Sequence, residues 1–194
     1  MSITIPKEGP VTLWTIHEQE FWELCQQRGV ILGDGRRIFD RYFLPQYQWI
    51  KEQMKLRIPE YTGRYPVWAW FTPKPDLRGT NYLLKGQRGV RVEFTAPAEQ
   101  VLLSDFNAWH IVMNFGYMSH TEEEYERFEA EYPNHHKALQ QPEYIERLKE
   151  SWVRIFDLDS QRDPEWAGEP DYIQACVEKV SLEQVVRVTP FTAR

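Results

Sequence analysis

A single glutamine inside an otherwise apolar run is the residue of this chain best placed to do chemistry. In "YIQACVEKV", Gln174 shares one strand face with Tyr172 and Cys176, opposite Ile173, Ala175 and Val177. A buried amide costs free energy unless it is paired or faces a cavity, where it holds the hydroxyl or carbonyl groups of a ligand. A second group follows the two tryptophans of "YPVWAWFTPKPDLRG": a proline-broken loop with Lys74 and Arg78, which ordinary core packing does not call for. Trp68 and Trp70 point to one face of a strand and suit either a core or stacking on a flat ring. By position alone, His17 and His110 read as structural histidines. His135-His136 stands in a polar segment without metal-ligand spacing. No nucleophile elbow, phosphate-binding loop, zinc-protease helix or dinucleotide fingerprint occurs.

Those residues need elements to position them. "VTLWTI" (11–16) alternates like a strand, and Thr15 with Glu18 matches a capping box, so a helix is expected over about 18–28 with Phe21, Leu24 and Cys25 inward and Gly29 as its stop. "VIL" reads as a short strand and "GDGRR" as a turn. Pro45 starts a helix of about 45–57 whose stripe is Phe43, Tyr47, Ile50 and Met54. "VWAWF" (67–71), "GVRVEFTA" (89–96) and "VLLS" (101–104) are strand candidates between Gly/Pro breaks. Ser104 or Asp105 then caps a helix carrying Phe106, Trp109, His110 and Met113.

Further on, Thr121 and Glu124 form a second capping box before Tyr125, Phe128 and Tyr132. Pro142 opens a helix with Ile145, Leu148, Trp152 and Ile155 inward, and "EYPNHHKALQQ" between them reads as an exposed connection. The end is a strand over 172–180, a capped turn at "SLEQ" and a last strand "VVRVTPF". With no repeat or linker, 1–194 is expected to form one α+β domain: a mixed, mostly antiparallel central sheet with two groups of helices.

A chain of 194 residues, 42% hydrophobic, can bury a real core. Its net charge of −6 argues against gripping long duplex nucleic acid. Cys25 and Cys176 are isolated in apolar segments and read as buried thiols of a reducing compartment. "MSITIPKEGP" lacks the layout of a signal peptide and no run approaches membrane-spanning length, so the expectation is a cytoplasmic protein away from membranes.

Nearly end to end, the chain resembles a family of small bacterial and phage proteins known as a domain of unknown function. The matching stretches are "LWTI", "YQWIKEQMKLR", "YPVWAW" with "KPDLRG", "KGQRGVRVEF", "VLLSDFNAWHIVMN" and "IQA". The order of elements is also similar to the ADP-ribosyltransferase superfamily, in particular its DNA-modifying toxins. That resemblance implies an NAD site. The opening strand and helix, with Trp14, Thr15 and His17, would bind nicotinamide, and "WFTPKPDLR" would bring Trp68 or Trp70 to a ring and Lys74 or Arg78 to phosphate or ribose. Asp105 and Trp109 in "SDFNAWH" match an acidic turn into a helix. Gln174 stands where the superfamily has its catalytic carboxylate, and the first-strand basic residue falls at Trp14, with His17 as its substitute.

On that resemblance Gln174 and Arg78 are the candidate catalytic residues. Trp14, Thr15, His17, Trp68, Trp70, Lys74, Asp105 and Trp109 are the candidate NAD-binding residues, with no metal. Two functions are consistent with the residues: transfer of ADP-ribose from NAD to an acceptor, or hydrolysis of NAD; and a non-catalytic module binding a nucleotide or a protein partner, as in phage–host conflict.

Overall fold

The computed structural model describes residues 8–38, 40–72, 83–158, 165, 166, 170 and 172–194. Lys74 and Arg78 lie outside them. The chain divides into two compact units: residues 1–103 with 174–194, and residues 104–173. The class is α+β, with a six-stranded sheet, a two-stranded sheet and six helices among the described residues.

The first unit is built around β1 (Pro10–Glu18), which lies between β3 (Val67–Thr72) and β4 (Arg88–Pro97). The β1–β4 register is antiparallel and unbroken from Pro10 opposite Pro97 to Glu18 opposite Gly89. Because side chains alternate, Val11 and Leu13 of β1 share a face with Val92, Phe94 and Ala96 of β4. That face forms the core with Trp22 and Cys25 of α1 (Gln19–Arg28), Ile31 of β2 (Val30–Leu32) and Val180 of β7 (Lys179–Ser181). The order of the large sheet is β5 (Leu102–Asp105), β6 (Ile173–Val177), β3, β1, β4, β8 (Val185–Thr192), while β2 pairs with β7. The expected class and the largely antiparallel central sheet are therefore present.

Local differences from the sequence reading have physical causes. Thr15 does not cap α1. The strand continues through Glu18, whose side chain makes no cap bond, because the Thr15 hydroxyl donates to the Trp68 carbonyl instead (2.9 Å). The inward residues of α1 are Trp22 and Cys25, with Leu24 exposed. Gly29 does end the helix, at φ 74°, and its N–H bonds back to the Cys25 and Gln26 carbonyls. The second helix, α2 (Leu44–Arg57), buries Gln46, Trp49, Ile50, Gln53 and Met54, so it is rotated from the expected stripe. Tyr47 stands at the margin of that face. The expected strand over 172–180 is two strands, since Glu178 between them turns to accept from the N–H (2.8 Å) and hydroxyl (2.6 Å) of Thr62. Cys25 and Cys176 are free, buried thiols.

The second unit is helical. Asp105 caps α3 (Phe106–Met113), accepting from the N–H groups of Asn107 and Ala108. The buried residues of α3 are Ala108, Trp109 and Val112; His110 is exposed, and its Nδ1 donates to the Phe106 carbonyl (2.9 Å). Thr121 caps α4 (Glu122–Glu131) as expected, but the return bond of the box goes from His120 N–H to Glu124. The segment read as an exposed connection contains a short helix, α5 (His135–Ala138), and Tyr144 of α6 (Pro142–Trp152) bonds His135 Nδ1 at 2.6 Å. Trp152 Nε1 donates to the Gly116 carbonyl and Arg154 to the Met118 carbonyl, which fixes the chain between α3 and α4. Among the described residues no helix is long and apolar enough to cross a membrane.

Candidate functional site

The site in the first unit forms beside the paired strands β1 and β3. Their register places Trp14 opposite Trp70. Towards the end of β1 the connection is made by a side chain, the hydroxyl of Thr15 on the Trp68 carbonyl. Beside that link lies a cleft of ≈240 Å³ walled by Thr15, His17, Phe21, Tyr47, Tyr65 and Trp68. The rings fix its shape. Phe21 lies 4.9 Å from the His17 ring, and Tyr47 stands edge-on to Trp68 at 6.3 Å. Flat walls of this kind suit a flat, partly apolar ligand group.

His17 is the polar centre of the cleft. Burial, helped by the nearby Arg37 charge, lowers its pKa from 6.5 to about 4, so the imidazole is neutral near pH 7. Its tautomer follows from Thr15. That hydroxyl has one proton, which goes to the Trp68 carbonyl, so at the 3.2 Å contact with His17 Nε2 the threonine oxygen accepts and Nε2 carries the hydrogen. Nδ1 is thereby left as an acceptor, suited to an amide N–H or a hydroxyl of a ligand. Arg37 is at the cleft, its guanidinium 4.3 Å from the Phe21 ring and 3.7 Å from the Glu18 carboxylate.

A second, larger depression of ≈710 Å³ adjoins the cleft and shares Gly33, Asp34, Ile38 and Tyr65 with it. Its walls include Arg36, Arg41 and Arg64. Arg36 is committed to Asp34 by a bidentate pair, which holds that carboxyl down at about 2 and removes it as an acid or base. Arg41 and Arg64 are exposed and make no ion pair among the described residues. The loop reaches this position because it has two glycines. A Cβ on Gly33 would stand 2.2 Å from the Tyr65 carbonyl oxygen, and one on Gly35 would stand 2.4 Å from the Tyr65 ring. Lys51, 4.6 Å from the centre of the Tyr65 ring, covers that ring from α2.

Of the residues singled out from the sequence, the cleft brings together Thr15, His17 and Trp68. Trp14 and Trp70 face each other across β1 and β3 and do not line it. Gln174 is 5% exposed on a strand buried on both faces, and it is not a lining residue either. Asp105 and Trp109 are buried in the second unit, where Asp105 serves as the α3 cap. Phe21, Tyr47 and Tyr65, and the arginines at 37, 41 and 64, were not read as site residues. The density of arginine after "GDG" is a signal for Arg37 and Arg41 but not for Arg64, and the helical spacing of Phe21 and Tyr47 points to helix stripes. Among the described residues no group of three His, Cys, Asp or Glu side chains could hold a metal ion.

No curated protein and no solved structure matches this chain. A family model does, over residues 12–186, from β1 into β8, and by that match the chain belongs to the family described as Domain of unknown function (DUF3841).

Proposed function

We propose that the first unit binds a nucleotide, with a flat ring in the cleft beside His17 and Trp68 and its phosphates over Arg41 and Arg64. The observation that carries this reading is the continuity of the two depressions: one walled by rings, the next by Arg36, Arg41 and Arg64 with Asp34 and Asp40, and with Tyr65 and Gly33 common to both. The charge of the first unit supports it. Residues 1–103 and 174–194 hold 17 Lys and Arg against 13 Asp and Glu, so this unit is net positive within an acidic chain. NAD is the nucleotide we put first, since its nicotinamide amide can donate to His17 Nδ1 while its pyrophosphate meets the arginines.

One observation favours the further reading of glycosyl transfer from NAD. His17, rather than Trp14, is the first-strand residue in the cleft, and a polar first-strand residue there is what the resemblance to ADP-ribosyltransferases implies. Breaking the nicotinamide–ribose bond builds positive character on the ribose, and a group beside it must favour that state over the ground state. Gln174, which the resemblance puts at the catalytic carboxylate, carries no charge and does not line the cleft, so binding without turnover is the primary reading.

Thermal unfolding with millimolar NAD tests it, because a ligand of the folded state raises stability according to its concentration over its dissociation constant. A rise in the melting temperature is expected for the wild type, reduced in an Arg41→Ala/Arg64→Ala double variant and absent in Trp68→Ala. Free nicotinamide release is measured in parallel for turnover. No rise with NAD, ADP-ribose or ATP would reject nucleotide binding. A rise unchanged in the double arginine variant would reject this placement of the phosphates.

A further inference from the structure

We propose that the second unit carries a separate binding site for an organic ammonium ion. Its cavity of ≈720 Å³ is walled by Tyr117, Tyr125, Phe128, Tyr144 and Trp166, with Glu129 at its side. All of them fall within residues 104–173, so the inference does not rest on the nucleotide reading.

The rings form an ordered wall. Tyr117 stacks on Phe128 with centroids 3.9 Å apart and planes 8° apart, and Tyr144 lies 5.4 Å beyond Phe128. Tyr125 and Trp166 form a second pair at 5.6 Å. The indole is oriented, since Trp166 Nε1 donates to Ser119 Oγ at 3.0 Å. Yet Tyr125 is 37% and Trp166 39% exposed. Large rings gathered at the mouth of one cavity and held in place while partly open to water are the kind of exposed apolar surface that calls for a ligand.

Charge decides which ligand. Residues 104–173 hold 16 Asp and Glu against 6 Lys and Arg, so the unit is strongly negative while the rest of the chain is positive. The Glu129 side chain lines the cavity, and no lysine or arginine does among the described residues. A field of this sign concentrates cations and repels phosphates and carboxylates. The electron-rich faces of tyrosine and tryptophan attract an ammonium group at van der Waals distance. The aromatic cluster already receives one cation: the Arg147 guanidinium lies 5.8 Å from the Phe128 ring and 5.9 Å from that of Tyr132. A cavity of this size admits an alkylated ammonium together with an apolar body. That chemistry is offered both by free quaternary amines and by methylated lysine side chains.

The test uses the full chain, with the Trp166 indole N–H followed by NMR. Choline is titrated against 3,3-dimethyl-1-butanol, which has the same shape without the charge. A saturable shift with choline is expected, with the neutral isostere roughly three- to thirtyfold weaker. Glu129→Gln, a change at an exposed position, should weaken choline several-fold and leave the isostere unchanged; Tyr125→Ala should weaken both. A trimethyllysine peptide forms the second arm: binding tighter than choline supports a protein side chain as the source, and weaker binding supports a free amine. Equal affinity for choline and its isostere would overturn the proposal by making the cavity merely apolar. So would the absence of any saturable shift with choline and the peptide, or a choline affinity indifferent to both variants.

Discussion

His17 gives the first unit a calculable dependence on pH. In the unfolded chain its pKa is the ordinary 6.5; in the folded protein burial lowers it to about 4. Between those values the unfolded state binds more protons, so stability present above pH 6.5 is lost as the pH falls towards 4 and then levels off. From the two pKa values the loss is about 1 kcal/mol at pH 5.5 and about 3 kcal/mol at pH 4. Other groups titrate over the same range, so the assay is a difference. His17→Gln keeps a donor for Thr15 and never titrates, and urea unfolding followed by tryptophan fluorescence is run on both proteins at each pH. The wild-type curve should fall away from the variant's by those amounts. Parallel curves, or an imidazole titration near 6.5 in the folded protein, would refute the assignment of His17 as a neutral acceptor.

Three other substitutions probe the fold around and beyond the site. Gly33→Ala puts a methyl against the Tyr65 carbonyl, so a loss of about 1–3 kcal/mol is expected from forced rearrangement, together with loss of the NAD-induced rise in melting temperature. Asp105→Ala removes the α3 cap and should cost about 1–2 kcal/mol in denaturant unfolding without changing nucleotide binding. Glu178→Ala removes both bonds to Thr62 and should cost about 1 kcal/mol, with faster amide exchange at Thr62 as the local readout.

Elements were legible wherever the signal is local. Pro45 and Gly29 mark helix boundaries because each constrains its own backbone, and Asp105 and Thr121 mark caps because their side chains reach the next turn. Alternation in 67–71 and 89–96 marked strands for the same reason. Inward faces were less legible. The stripe on α2 was read from its apolar residues, but Gln46, fully buried, and Gln53 lie inward too. A polar residue's burial depends on partners brought by other elements, which periodicity does not record. Thr15 failed as a cap for a related reason: its hydroxyl had two uses, and the choice depended on Trp68, 53 residues away.

The candidate site divides along the same line. His17, Thr15 and Trp68 were named through the resemblance rather than from their own spacing, and the cleft brings the three together. Gln174 stood out in its strand, but that strand is covered on both faces, a fact set by the layers around β6 rather than by the strand itself. The amino-acid sequence alone determined the α+β class, most of the strands and helices, and the caps at Asp105 and Thr121. All of these rest on interactions within a few residues of one another. Tertiary structure alone decided that the Thr15 hydroxyl bonds the Trp68 carbonyl and that the "GDGRR" loop folds over Tyr65. Each of those depends on chain segments distant in sequence meeting in space.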